Sequence, residues 1–324
     1  MSIKLFEYSP LLEVTVKNIY WRSNSLIRLS ALLKKKLAQR GSNLQRVNFD
    51  AVLSNIRSAG VREGDILIVH SSMKKLRSTG LSPDEIIDSL KSIVSDAGTL
   101  ALPAFTYYSG EPTGVTKLDD TKYRQTLTYD MRTTASIWTG VLAKCLVARG
   151  GAVRSRHPIN SMVALGPHAS DLMRGNLRGN EPTPCGPGSS WEFCYRKNAK
   201  IVALGVDLAH SLTMIHVAED AFESDWPVDK WYRSRKYRVI DNDYDSVITV
   251  RERRHNWSVF YAERSFSRDL RNDLISKSFV VDGLKMTYCE SERLINYLRS
   301  KNRAGYPYKI PFLKSLKKKK RGEK

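Results

Sequence analysis

The sequence predicts an α/β protein built on a parallel strand pair. Three observations lead there. Short, uniformly apolar runs at residues 66–69 (ILIV), 99–102 (TLAL) and 201–204 (IVAL) are too uniform for half-exposed strands and suit strands covered on both faces. Amphipathic helical patterns alternate with them. The first two runs flank one helix, so strand, helix and strand form a unit whose strands run parallel.

The elements follow in order. Leu26, Ile27, Leu29, Leu32, Leu33 and Leu37 recur at helical spacing, Leu26, Leu29, Leu33 and Leu37 on one side, among Arg28, Lys34, Lys35, Lys36 and Arg40, a basic amphipathic helix. Such a helix either lies on an anionic membrane or docks on the body with its lysines in water, and six apolar residues favour docking. Phe49, Val52, Leu53 and Ile56 mark a second helix ended by Gly60. The strand at 66–69 then ends in His70, Ser71 and Ser72. Ser82, Pro83 and Glu85 form a capping signature for a helix with Ile86, Ile87, Leu90, Ile93 and Val94 inward. Residues 107–132 read as a long polar surface loop. Thr133 or Thr134 caps a helix carrying Ile137, Val141, Leu142, Cys145 and Leu146, and a strand follows at 162–165. A short helix from Pro167, a Gly/Pro-rich segment at 174–190 and a helix around residues 191–195 lead to the run at 201–204. Gly205 breaks that run, residues 207–211 read as a loop, and a helix begins near Ser211 or Thr213. Strands at 237–240 and 246–250 are joined by an acidic turn, residues 260–275 are helical, and residues 305–324 form a polar tail.

Composition narrows the class. The chain has 324 residues, 41% hydrophobic and 27% charged, with no apolar run long enough to span a bilayer. The opening residues lack the pattern of a signal peptide, and four separated cysteines without a CxxC pair fit reduced thiols rather than structural zinc. A cytoplasmic protein is expected, with peripheral contact at the inner membrane face as a further reading. The net charge of +20 is unevenly placed. Residues 1–46 carry nine Lys/Arg against two Glu (+7), residues 297–324 eleven against one (+10), and residues 47–296 only +3. The expected organisation is a basic N-terminal extension (1–46), a catalytic body (47–304) and a basic tail (305–324). The near-neutral body shows no basic stripe and disfavours nucleic acid.

The chemistry centres on His216 and Glu219. They stand three apart on a helix that follows a buried strand, where open α/β sheets place ligands. The common nucleotide and nucleophile motifs are absent, and the HxxE pair has no third residue spaced to hold a metal. A histidine–carboxylate pair among hydroxyl-bearing loops suits general-base activation of an external nucleophile.

The segments VREGDILIVHSSMKKL, GTLALPAFT, RSRHPINSMVALGPHA, CGPGSSWEF and KIVALGVD with TMIHVAE, in this order over residues 48–222, resemble the aminoglycoside 3-N-acetyltransferase (antibiotic N-acetyltransferase) family. The resemblance implies a three-layer α/β/α fold on a largely parallel or mixed sheet, distinct from the commoner acetyltransferase superfamily. It implies acetyl-CoA as donor and an amine on a sugar-like ring as acceptor. His216 becomes the general base and Glu219 a carboxylate that either orients the imidazole or meets the acceptor, with Glu263 as a later carboxylate partner of the histidine. His70, Ser71, Ser72, Thr106, Arg156 and His157 would line the CoA channel, Arg156 suiting a phosphate.

Two departures stand out. The loop at 205–213 is about one residue longer than the family pattern and lacks its asparagine, and both basic tails are additional. The tails would repel a polycationic drug. The preferred acceptor is therefore a nucleotide- or lipid-linked amino sugar of surface polysaccharide synthesis, with the tails meeting an anionic membrane. The alternative is an aminoglycoside resistance enzyme. A non-catalytic CoA-binding homologue and a nucleic-acid-binding protein are weaker readings, and the oligomeric state stays open.

Overall fold

A computed structural model describes residues 4–39 and 45–311. Its centre is a seven-stranded sheet in the order β4-β5-β2-β1-β6-β10-β9. The strands are β1 (Ile66–Ser71), β2 (Thr99–Pro103), β4 (Val153–Arg154), β5 (Met162–Leu165), β6 (Lys200–Leu204), β9 (Ser276–Val281) and β10 (Leu284–Glu290). β1 pairs in parallel with both β2 and β6, while the flanking pairs are antiparallel, so the sheet is mixed with a parallel middle.

The central strands are uniformly apolar because each feeds two cores. Leu67 and Val69, Leu100 and Leu102, and Val202 and Leu204 face one side, against the helices Phe49–Ala59, Pro83–Val94 and Val141–Val147. Ile66 and Ile68, Ala101, and Ile201 and Ala203 face the other, against Ala169–Arg174, Ser190–Arg196, Glu263–Asn272 and Ser291–Lys301. A period of two therefore builds three layers from one sheet. The expected capping box starts Pro83–Val94: the Ser82 hydroxyl accepts from the Glu85 amide and Glu85 accepts in return from the Ser82 amide.

A second, three-stranded sheet, β3-β7-β8, sits beside the first. β3 (Leu127–Asp130) runs parallel to β7 (Tyr232–Asp241), which forms a long hairpin with β8 (Tyr244–Arg253) through two turn residues. The strands expected at 237–240 and 246–250 are thus the outer parts of longer ones. β3 lies within the segment read as loop, where its alternation of buried Leu127 and Tyr129 with more exposed neighbours was too short to register. The helix expected from Thr133 begins only after Gly140, and Ile137 instead pairs with Thr106 in an isolated bridge.

Both ends also differ from expectation. The N-terminal segment holds two main helices, Pro10–Trp21 and Asn24–Gln39, and the first docks on the body through Glu13 and Val14. Residues 305–311 pack rather than trail: Tyr308 is 2% exposed among Trp226, Val228 and Trp231. The remainder of the expected tail, and residues 1–3 and 40–44, lie outside the described residues. Among the described residues no helix is long and apolar enough to cross a membrane.

Candidate active site

The carboxyl ends of β1, β2 and β6 open onto one crevice. After β1 the chain passes to the layer holding Pro83–Val94, and after β6 it passes to the opposite layer, so the crevice lies at a topological switch point. A cavity of about 250 Å³ sits there, walled by His70 and Ser71 from β1, Pro103 at the end of β2 and Phe105 after it, and Ser211 and Thr213 after β6. Gly205 lets the chain turn away from β6: its φ is +67°, and a Cβ would stand 2.7 Å from the Lys75 Cβ.

His70 is 6% exposed and its ring stacks on Trp191 at 6.3 Å between centroids. Burial lowers its pKa to about 4, which keeps it neutral, and its Nε2 has no partner. A buried, unpaired ring nitrogen beside Ser71, Thr139, Ser211 and Thr213 suits a narrow ligand rich in amide groups. Ser72 stands one residue on, at the start of the turn Met73–Leu76.

Residues 207–211, read as a loop, contain a helical turn, Leu208–Ser211. Next comes the 3-10 turn Thr213–His216, and the helix Val217–Asp220 continues from it. Residues three apart on a 3-10 turn stack on one side, about 6 Å along the axis, so His216 follows the wall residue Thr213 by one turn. The His216 Nδ1 lies 3.1 Å from Glu219 Oε2, and its side chain keeps 19% exposure against 3% for Glu219. Burial and the Arg253 guanidinium lower the imidazole pKa, and Glu219 offsets them in part. Burial alone would raise Glu219, but His216 and Arg253 beside it hold it below its ordinary value. The result is a neutral imidazole next to an ionised carboxylate. Nδ1 then carries the proton that it donates to Glu219, and Nε2 presents its lone pair.

The second sheet supplies the rest of the surroundings. Its register sets Tyr232 opposite Arg253 at the root of the hairpin. Arg253 Nη1 lies 3.4 Å from His216 Nδ1 and donates to the Tyr308 hydroxyl. Tyr232 donates to Asp220 Oδ1 at 2.8 Å, and the Cys185 amide donates to Asp220 Oδ2 at 3.0 Å. Burial, with Glu219 next to it, raises Asp220 to about 7. Arg253, Tyr308, Tyr232 and Asp220 were all missed from the sequence. Arg253 sits in the run RERR, which reads as a solvated charge cluster, and Tyr308 sat in the presumed tail.

Several expected site residues are placed elsewhere. Glu263 does not reach His216. It bonds His210 Nδ1 at 2.5 Å and pairs with Lys17, while His210 Nε2 lies 3.1 Å from Arg264. Its position at the first turn of Glu263–Asn272 aims it at Leu208–Ser211, and contact over such a sequence separation is set by packing rather than spacing. His210 itself borders the cavity. Thr106 accepts from Arg154 Nη2 at 2.8 Å and is absent from the cavity wall. His157 is buried between the carbonyls of Ile159 and Pro182, at 2.9 and 3.3 Å from its two nitrogens, a structural arrangement. Arg156 pairs with Asp241 at 3.0 Å and stacks over Tyr244, facing a separate cleft of about 990 Å³. The cavity thus gathers His70 and Ser71, but not Ser72, Thr106, Arg156 or His157.

Comparison with known proteins gives a consistent result. The family model described as aminoglycoside 3-N-acetyltransferase matches residues 68–301. Aminoglycoside N(3)-acetyltransferase III of Salmonella sp is 33% identical over 186 residues, covering 56% of this chain and 62% of that protein. The chain therefore spans under two thirds of this curated relative's length. Among solved structures, the apoenzyme of aminoglycoside acetyltransferase AAC(3)-IVa superposes with a TM-score of 0.63 at 18% identity, covering 83% of this chain and 94% of that one. AAC-IIIb in a binary complex with CoASH gives 0.59 at 19% identity, over 78% and 94%. These likenesses establish the shared α/β fold.

Proposed function

We propose, because this chain belongs to the aminoglycoside 3-N-acetyltransferase family, that it moves the acetyl group of acetyl-CoA to a primary amine on an amino sugar. The His216–Glu219 pair carries the proposal. An amine attacks a thioester only through a free lone pair, so a proton must leave the attacking nitrogen. His216 Nε2 accepts that proton as the C–N bond forms and the C–S bond breaks, and can return it to the departing thiol. Glu219 holds Nδ1–H, fixing the tautomer and balancing the positive charge that develops on the ring. The cavity at the strand ends supports a thioester arm: His70 Nε2, Ser71 and Thr139 would meet its amides, and Phe105 and Trp138 its carbon chain.

The names of the relatives favour an aminoglycoside acceptor, so the alternative set out from the sequence is better supported than a nucleotide- or lipid-linked sugar. The tails were the whole case for the latter, and their charge sits largely outside the catalytic elements. The test is CoA-thiol release from acetyl-CoA across aminoglycosides and nucleotide-linked amino sugars, with wild type and His216→Ala. Turnover with at least one aminoglycoside, falling by about 10²–10⁴-fold in the folded variant, is expected. Near wild-type turnover in the variant would overturn the assignment of the base, and turnover with nucleotide-linked sugars alone would overturn the acceptor.

A further inference from the structure

The helix Pro10–Trp21 docks through Glu13 and Val14 and leaves other apolar side chains outward. Its buried residues include Glu13, at 4% exposure, whereas Leu11, Val16 and Ile19 stand 68%, 43% and 57% exposed. Glu13 accepts the Arg264 backbone N–H at 3.0 and 3.1 Å through its two oxygens. Lys17 turns the same way, pairing with Glu263 and donating to the Tyr261 carbonyl at 2.9 Å. Leu11 and Ile19 are two turns apart on one stripe that faces away from the body. Leu5 and Tyr8, just before, are 44% and 72% exposed. The next helix, Asn24–Gln39, repeats the pattern with Leu26, Leu29, Leu32 and Leu33 outward, between 39% and 61% exposed. Nine of the fifteen large apolar side chains exposed among the described residues fall within positions 5–33, so they form a concentrated feature rather than scattered surface apolarity.

The charge pattern selects what covers this face. Residues 1–46 contain nine Lys/Arg and two Glu. Both glutamates are turned toward the body, Glu13 as above and Glu7 toward Arg271 at 3.4 Å. Arg22 and Arg28 are exposed. The outward charge of this segment is therefore positive. An isologous contact with a second copy would bring two such +7 segments together and is disfavoured. A surface that is apolar within and anionic at its edge matches both properties. We propose that the two N-terminal helices form an interfacial anchor for an anionic phospholipid bilayer, lying along it with their leucine faces among the headgroups.

The test is co-sedimentation of the full chain with vesicles of equal parts phosphatidylserine and phosphatidylcholine, and with phosphatidylcholine alone. Binding to the mixed vesicles that weakens at high salt is expected. Leu29→Ser with Leu32→Ser, and separately Leu11→Ser with Ile19→Ser, should lower partitioning by roughly tenfold per residue while leaving the thermal melt and CoA release unchanged. Four results would overturn the proposal: no binding by the wild type, binding equal on neutral vesicles, binding indifferent to both pairs, or a wild-type dimer in sedimentation that the same substitutions dissociate. Binding indifferent to these pairs would place any attachment in the C-terminal basic residues instead. Because each pair is tested separately, one that lowers the melt leaves the other to decide.

Discussion

Replacing Glu219 by Gln isolates the electrostatic part of the site. The substitution keeps the length of the side chain and an oxygen that can accept Nδ1–H, but removes the charge 3.1 Å from His216. A hydrogen bond to a charged group contributes about 1.5–3 kcal/mol against about 0.5–1.5 for a neutral one. The difference, about 1–1.5 kcal/mol, corresponds to a loss of roughly 5–15-fold in kcat. If the amide turns its NH2 toward Nδ1, the ring adopts the other tautomer, Nε2 carries the proton, and the loss extends to the full effect of a general base, about 10²–10⁴-fold. The pH profile gives a second, signed readout. With His216 as the proposed base, activity requires its neutral form and falls as pH drops through the imidazole pKa. Burial and Arg253 hold that pKa below 6.5, and Glu219 is the group that raises it. Without Glu219 the pKa falls further, and the acid limb of kcat/KM shifts to lower pH even as the plateau drops. Thiol release measured across pH, with circular dichroism to confirm folding, tests both. An unchanged plateau, or an acid limb displaced to higher pH, would refute the arrangement.

Arg253→Gln should move the same limb the other way, because removing the cation lets the imidazole pKa rise toward its ordinary value. A shift in the same direction as Glu219→Gln would show that Arg253 acts through structure alone. Trp191→Ala removes a fully buried ring that stacks on His70, and urea unfolding should report a loss of about 3–5 kcal/mol. A loss below about 1 kcal/mol would mean that the layers close over the gap.

The parallel middle of the sheet was legible because its physics is local. Residues 66–69 are uniformly apolar since both faces are covered, and the Ser82–Glu85 box marks the following helix by side chains that cap it. The His216–Glu219 contact was legible for the same reason, three residues apart in one helical stretch. What the sequence concealed is decided by register and docking. Arg253 reaches His216 because the hairpin pairs it with Tyr232, and nothing within RERR distinguishes it from its neighbours. Glu263 took His210 rather than His216 because its helix begins over the turn Leu208–Ser211. An amphipathic pattern reveals a stripe but not which side docks, so the burial of Glu13 with Leu11 and Ile19 left outward could be found only in three dimensions. The grouping of Arg156 with His70 failed likewise: order along the chain does not say that β4 lies at one edge of the sheet and β1 at its centre.

The contact between Lys17 and Glu263 ties the first helices to the wall of the cavity. The family model's match begins at residue 68, after the first helices. Yet Lys17 holds one oxygen of Glu263, and the other oxygen holds His210 at the mouth of the cavity. A protein shortened by the helix Pro10–Trp21 would leave Glu263 short of one cation and Arg264 without its acceptor on Glu13. Kinetics measured on such a fragment would describe a cavity whose wall residue His210 had lost part of its support.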